Sequence, residues 1–140
     1  MNRRGFIKHL GLGGIALGLS SLPIELLAGL KDDDFEKICI LHTNDTHSRI
    51  DPFPPGSKYE GLGGMAKRAF LIEQIRKEEE HVLLLDAGDT FQGTPYFNLY
   101  GGELEFKLMS EMGYDATTLG NHDFDAGLDG LVKQLPHANF

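Results

Sequence analysis

Three short apolar runs constrain this chain most, because each is followed at once by carboxylate, imidazole or amide side chains. The runs are KICIL (Lys37–Leu41), HVLLLDAGD (His81–Asp89) and YDATTLGNHDF (Tyr114–Phe124). Between them lie segments of helical length. In GGMAKRAFLIEQIRKEEE, residues Met65, Ala66, Ala69, Ile72 and Ile75 recur at three- and four-residue steps, which predicts one apolar helix face. In GELEFKLMSEMGY, residues Leu104, Leu108, Met109 and Met112 form a second such face, and GLDGLVKQL begins a third helix. Apolar strands separated by helices imply a parallel α/β sheet in the order β-α-β-α-β-α. The continuous run of the second strand predicts burial on both faces. All three strand exits then share one edge, where open α/β sheets bind ligands.

Composition narrows the function. The 140 residues carry a net charge of −8, which argues against a nucleic-acid polymer as partner. Residues 1–30 hold three of the cations and one of the anions, so the remainder has 10 Lys and Arg against 20 Asp and Glu, about −10. An acidic cleft can instead hold divalent cations. The single cysteine, Cys39, lies in the first apolar run and reads as a structural thiol. DPFPPGSKYEG (Asp51–Gly61) holds three prolines and two glycines and must be a loop.

The first thirty residues read as an address. Arg3, Arg4 and Lys8 precede an uncharged Gly-rich apolar stretch from Leu10 to Ile24, the layout of a secretory signal peptide. The paired arginines followed by Phe6, Ile7 and Lys8 resemble a bacterial twin-arginine export signal. The expectation is residues 1–30 as export signal, 31–37 as polar tether and 38–140 as the α/β domain portion. The product would be periplasmic or otherwise exported, with no stable membrane span after signal cleavage. GLGGIA (Gly11–Ala16) and GLGGMA (Gly61–Ala66) fit a dinucleotide fingerprint, but neither follows a strand, which that motif requires.

The strand exits carry the chemistry. The first is Asp45-Thr46-His47, the second GDTFQGT (Gly88–Thr94) with Asp89, and the third GNHDFD (Gly120–Asp125). Alone, each is an ordinary polar turn. In this order, each behind a strand, D-x-H, G-D-x-x-x-G-T and G-N-H-D resemble the calcineurin-like metallophosphoesterases. The wording HTNDTHS … GDTFQGTPYF … GNHDFD is similar to their 5′-nucleotidase and 2′,3′-cyclic-nucleotide phosphodiesterase branch, over about residues 38–135.

That resemblance implies a fold, a cofactor and a set of roles. The fold would be the N-terminal part of the family's α/β sandwich. Two divalent ions, zinc, manganese or similar, would lie roughly 3.5–4 Å apart. Asp45 and His47 would bind the first ion, Asp89 would bridge both, and Asn121 would bind the second through its amide oxygen. His122 would act beside the scissile phosphate, oriented by Asp125 or, in competition, by Asp123. A metal-bound hydroxide would attack phosphorus in a nucleotide substrate. Nothing in the sequence marks the residues that bind the rest of that substrate.

The family completes its site with later histidines, an isolated one and a G-H-x-H motif, which the stretch after Asp125 does not supply; His137 lies in PHAN. The resemblance therefore predicts an N-terminal fragment without the C-terminal domain that grips the nucleoside. Residues 31–140 alone are expected to fold poorly and hydrolyse little, with an apolar sheet face and edge exposed. Two other readings stay open. One is a sulfur-oxidation hydrolase of the same superfamily, and the other a non-catalytic remnant that binds at most one metal. His42, His81 and His137 read as strand-end or surface residues rather than ligands.

Overall fold

The computed structural model of the chain describes residues 36–140. The expected export signal and most of the expected tether lie outside the described residues. The elements, in order, are strand β1 (Cys39–Thr43), helix α1 (Met65–Glu78), strand β2 (Val82–Asp86), helices α2 (Pro95–Tyr100) and α3 (Glu103–Glu111), strand β3 (Ala116–Thr117) and helix α4 (Gly127–Gln134). Single 3₁₀ turns occupy His122–Phe124 and Leu135–His137.

The sheet is parallel, in the order β1-β2-β3. Cys39 faces Val82 and Thr43 faces Asp86 in one register, while Leu85 faces Ala116 in the other. All three strands therefore point the same way, and their carboxyl ends share one edge. That is the α/β arrangement expected from the alternation of strands and helices.

One helix escaped the pattern. Helix α2 is only six residues long, too short to display a 3.6-residue period. Its punctuation is nonetheless in the sequence. Thr94 caps it by accepting a hydrogen bond from the Tyr96 N–H, Pro95 opens it, and Gly101 ends it in the left-handed region at φ 63°.

Burial corrects two expectations. Strand β2 is not buried on both faces: Leu84 and Asp86 are buried, but Leu83 is exposed and Leu85 half-buried. Strand β1 alternates likewise, with Ile40 exposed between half-buried Cys39 and Leu41. A run of apolar residues cannot by itself distinguish one covered face from two. In addition, Ala66 on α1 is exposed, while Met65 and Ile72 carry the buried stripe.

The core lies on the covered sheet face and centres on Phe91, with rings of Phe106 and Phe97 at 4.8 and 5.7 Å between centroids. Met65, Ile72, Leu84, Met109, Met112, Tyr114 and Leu131 complete it. Burying one such side chain contributes about 1.5–3 kcal/mol. Phe91 is only 1% exposed and belongs to the loop after β2. The core thus grips the loop that carries Asp89.

Candidate metal centre

The loops beyond β1 and β2 continue to pair after the strands end. The N–H of Asp45 donates to Gly88 O, that of His47 to Asp89 O, and that of Ser48 to Thr90 O, at 3.1, 3.1 and 2.8 Å. They do so in an unusual conformation. Asp45, His47, Ser48, Asp89 and Gln92 all have positive φ, between 45 and 68°, and they are the only non-glycine residues among those described that do. Each such residue costs on the order of 1 kcal/mol, a strain that clusters where function over-determines the backbone. It turns two D-containing lips toward one another.

Two buried aspartates hold this arrangement. Asp123 is 2% exposed. Its Oδ1 accepts from the N–H groups of Thr90 and Phe91, and its Oδ2 from those of Asp89 and Gly120, all within 2.8–3.0 Å. The second and third lips are thereby tied to one carboxylate. Asp86 does the same beneath the sheet edge. It accepts from the hydroxyls of Thr43, Thr90 and Thr117 and from the Gly88 N–H, linking β1, β2 and β3. Asp86 stands three residues before Asp89 in the sequence, and Asp123 was the rival partner for His122. Their burial and bonding make both of them internal braces instead.

The backbone approaches closely at Gly120. A Cβ there would lie 2.1 Å from Asp89 Oδ1 and 2.7 Å from the Asp89 N–H nitrogen, so only glycine fits. The His122 N–H then donates to the same Asp89 Oδ1 at 2.8 Å.

Donor atoms of Asp45, His47 and Asp89 lie within 4.8 Å of one another. The set fits a divalent ion: two carboxylates and one imidazole, on strained backbone. The tautomer of His47 follows from its contacts. Nδ1 lies 3.3 Å from the Phe91 carbonyl, which can only accept. Nδ1 therefore carries the proton, and Nε2, 3.6 Å from Asp45 Oδ1, keeps its lone pair for a metal. The Asn44 amide donates to Asp45 Oδ2 and restrains the first carboxylate.

His122 stands at the other side. Its ring is 5.2 Å from that of His47, edge to face. Its Nδ1 pairs with Asp125 Oδ2 at 2.9 Å. The hydrogen bond and charge of Asp125 raise the His122 pKa above its ordinary value, with Asp89 and Asp123 adding to the pull. Asp125 is lowered in turn by His122 and by the Gln92 amide, which donates to the same oxygen at 3.2 Å. Gln92 was not foreseen. The signal available was a polar residue in the G-D-x-x-x-G turn, forced to φ 68°.

Asn121 is exposed and sits between Gly120 and His122, both in contact with Asp89. Asp45, His47, Asp89, Asn121, His122 and Asp125 are thus gathered at one sheet edge. His42 lies on the exposed side of β1, and His137 is 3.8 Å from Glu103, away from the cluster. A triad of donors with an adjacent histidine–aspartate pair can bind a metal-bridged anion and pass a proton to it.

Comparison with known proteins agrees with this geometry. The family model described as calcineurin-like phosphoesterase matches residues 39–139. The snake venom 5′-nucleotidase of Gloydius brevicauda is 49% identical over 95% of this chain, and the 5′-nucleotidase of Bos taurus 46% identical over 71%. Among solved structures, the 5′-nucleotidase precursor of Thermus thermophilus superposes with a TM-score of 0.66 at 41% identity over 72% of the chain. The NAD nucleotidase of Haemophilus influenzae gives 0.65 at 36% over the same share. The chain spans a quarter or less of each of these proteins: 25% and 18% of the two nucleotidases, 20% and 19% of the two solved chains. With residues 39–139 matched by the family model and its three polar lips at one sheet edge, this chain belongs to the calcineurin-like phosphoesterase family.

Proposed function

We propose that residues 38–140 form the first part of a metal-dependent phosphohydrolase acting on nucleotides, of the 5′-nucleotidase or 2′,3′-cyclic phosphodiesterase type. One observation carries this reading: the Asp45–His47–Asp89 donor group stands beside a hydrogen-bonded His122–Asp125 pair. Asp45, His47 and Asp89 would hold one ion, and Asp89 with Asn121 would contribute to a second. Two divalent ions would supply positive charge at the phosphoryl oxygens and a water of lowered pKa.

The chain's own residues would do the rest. Asp125 orients His122 through Nδ1, which leaves Nε2 to hold the proton for the departing oxygen. Gln92 fixes Asp125, and the braces at Asp86 and Asp123 keep the lips in register. Relatives of 41–49% identity are nucleotidases, which favours nucleotides over the sulfur-oxidation reading. Their greater length supports a further domain that would bind the nucleoside. Export by the twin-arginine route to the periplasm rests on Arg3 and Arg4. Among the described residues no helix is long and apolar enough to cross a membrane.

The test is hydrolysis by the whole protein of AMP, read as phosphate release, of 2′,3′-cyclic AMP, read as ring opening to the monoester, and of a thiosulfonate, read as loss of its sulfonate group, with and without chelator. Chelator-sensitive release from a nucleotide is expected. Turnover of the thiosulfonate alone favours the sulfur reading, and binding of at most one metal without any turnover favours the remnant.

A further inference from the structure

Beside the metal donors lies a cavity of about 440 Å³, lined by Asp45, Thr46 and His47 from the first lip and by Arg49, Phe53 and Arg68. Its two arginines are uncommitted. Neither forms an ion pair among the described residues, although acids outnumber bases in the chain. The third arginine of that region, Arg76, instead donates to the carbonyls of Met112 and Gly113.

The two guanidinium groups are held in different ways. That of Arg49 stacks on Phe53, 4.3 Å from the ring centroid, which engages its face and leaves its edge N–H groups available. Arg68 presents a harder problem. Its Nη1 is sealed from solvent without a hydrogen-bond partner, as is Thr46 Oγ1. Buried donors are normally matched, and a cation beside low-dielectric walls favours an anion in the adjoining space. Asp45 is the one acid lining the cavity, and its carboxylate belongs to the metal donor group and already accepts from Asn44.

We infer that this cavity is an oxyanion subsite in which Arg68 and Arg49 hold a phosphate group next to the metal donors. The inference rests on the phosphohydrolase reading for the source of that phosphate. It could be a non-transferred phosphate of the substrate or the released inorganic phosphate. Both present several acceptor oxygens to a planar, multi-donor guanidinium.

The test uses the whole protein stripped of metal by chelator, titrated calorimetrically with inorganic phosphate. Arg68→Gln should weaken binding by about tenfold or more, as expected for loss of charge-assisted hydrogen bonds. Arg68→Lys should restore part of the affinity. Lys133→Gln removes the same charge from an exposed position on α4 and should leave affinity unchanged. A second arm uses the metal-loaded protein. A rise in KM for ADP relative to AMP in Arg68→Gln identifies the substrate's non-transferred phosphate. Relief of inhibition by inorganic phosphate alone identifies the product. Equal phosphate affinity in the parent and Arg68→Gln, or an equal loss in Lys133→Gln, overturns the subsite. Since the titration needs no turnover, failure of the subsite and failure of the phosphohydrolase reading are read separately.

Discussion

The carboxylate of Asp123 accepts four backbone N–H groups, from Asp89, Thr90, Phe91 and Gly120. Asp123→Asn keeps the shape but turns one oxygen into a donor. Whichever way the amide sits, two of the four N–H groups then face an NH₂ group. Hydrogen bonds to a charged group contribute about 1.5–3 kcal/mol each. Losing two predicts destabilisation of about 3–6 kcal/mol, with the new N–H against N–H contacts on top. That is a large share of the ~5–15 kcal/mol typical of a folded domain. Guanidinium unfolding of the whole protein measures it. Because Asp89 N–H is one of the four groups, metal affinity should fall in the same variant below its unfolding transition. Asp123→Ala should be no better, since it leaves all four groups without the carboxylate. A loss below about 1 kcal/mol in Asp123→Asn, or intact metal affinity, would refute Asp123 as the tie between the second and third lips.

Four further outcomes follow from the same geometry. Asp89→Ala in the whole protein should reduce nucleotide hydrolysis beyond detection, and retained turnover would remove Asp89 from the metal site. Gly120→Ala places a methyl 2.1 Å from Asp89 Oδ1, so calorimetry should show metal binding lost or weakened by about a hundredfold. In the metal-free protein, His122 should titrate above the ordinary histidine value, because Asp125 stabilises the imidazolium. The associated stability is full below the unfolded-state pKa and lost as pH rises through the raised one; Asp125→Asn should move the NMR midpoint of His122 down, and an unmoved midpoint would separate the pair. Glu105 is fully buried with both carboxylate oxygens unpartnered. Its place in the first turn of α3 offsets part of that cost, so Glu105→Gln should raise the thermal midpoint, equivalent to about 1–2 kcal/mol.

Much of the site was legible because its ligands are short-range patterns placed directly after strands. D-x-H, G-D and G-N-H-D are visible wherever the strand exits are visible, and parallel topology then brings them together. What was not legible depended on contacts between lips. Nothing local separates Asp86 from Asp89, which stand three residues apart, yet one is buried under three threonine hydroxyls and the other faces the metal donors. Nothing local separates Asp123 from Asp125 either. Both lie within three residues of His122, and the 3₁₀ turn at His122–Phe124 sets Asp125 beside Nδ1 while Asp123 reaches the loop after β2. Strand β3 extended over a longer apolar run in the sequence but is only two residues long. Its ladder passes into the braces, with Thr118 N–H donating to Asp86 O and Asp115 N–H to Leu84 O.

The same division explains how the charge of so acidic an edge is distributed. Asp45, Asp86, Asp89, Asp123 and Asp125 crowd one end of a small sheet, where like charges repel and each buried carboxylate is costly unless bonded. The two buried ones are neutralised by direct donors: four backbone N–H groups for Asp123, and one N–H with three hydroxyls for Asp86. Asp125 is paired with His122 and Gln92. Only Asp45 and Asp89 keep oxygens directed to a common point with an imidazole lone pair, held there by left-handed backbone that would relax if the braces were cut. Charge at this edge is therefore sorted by burial, so that the carboxylates with a single internal donor each, the Asn44 amide for Asp45 and the His122 N–H for Asp89, are the two that face a cation. Removing a brace should weaken metal binding through backbone relaxation, whereas removing Asp45 or Asp89 should weaken it through lost charge. Salt distinguishes the two, because screening acts on the exposed charges and hardly on the buried braces.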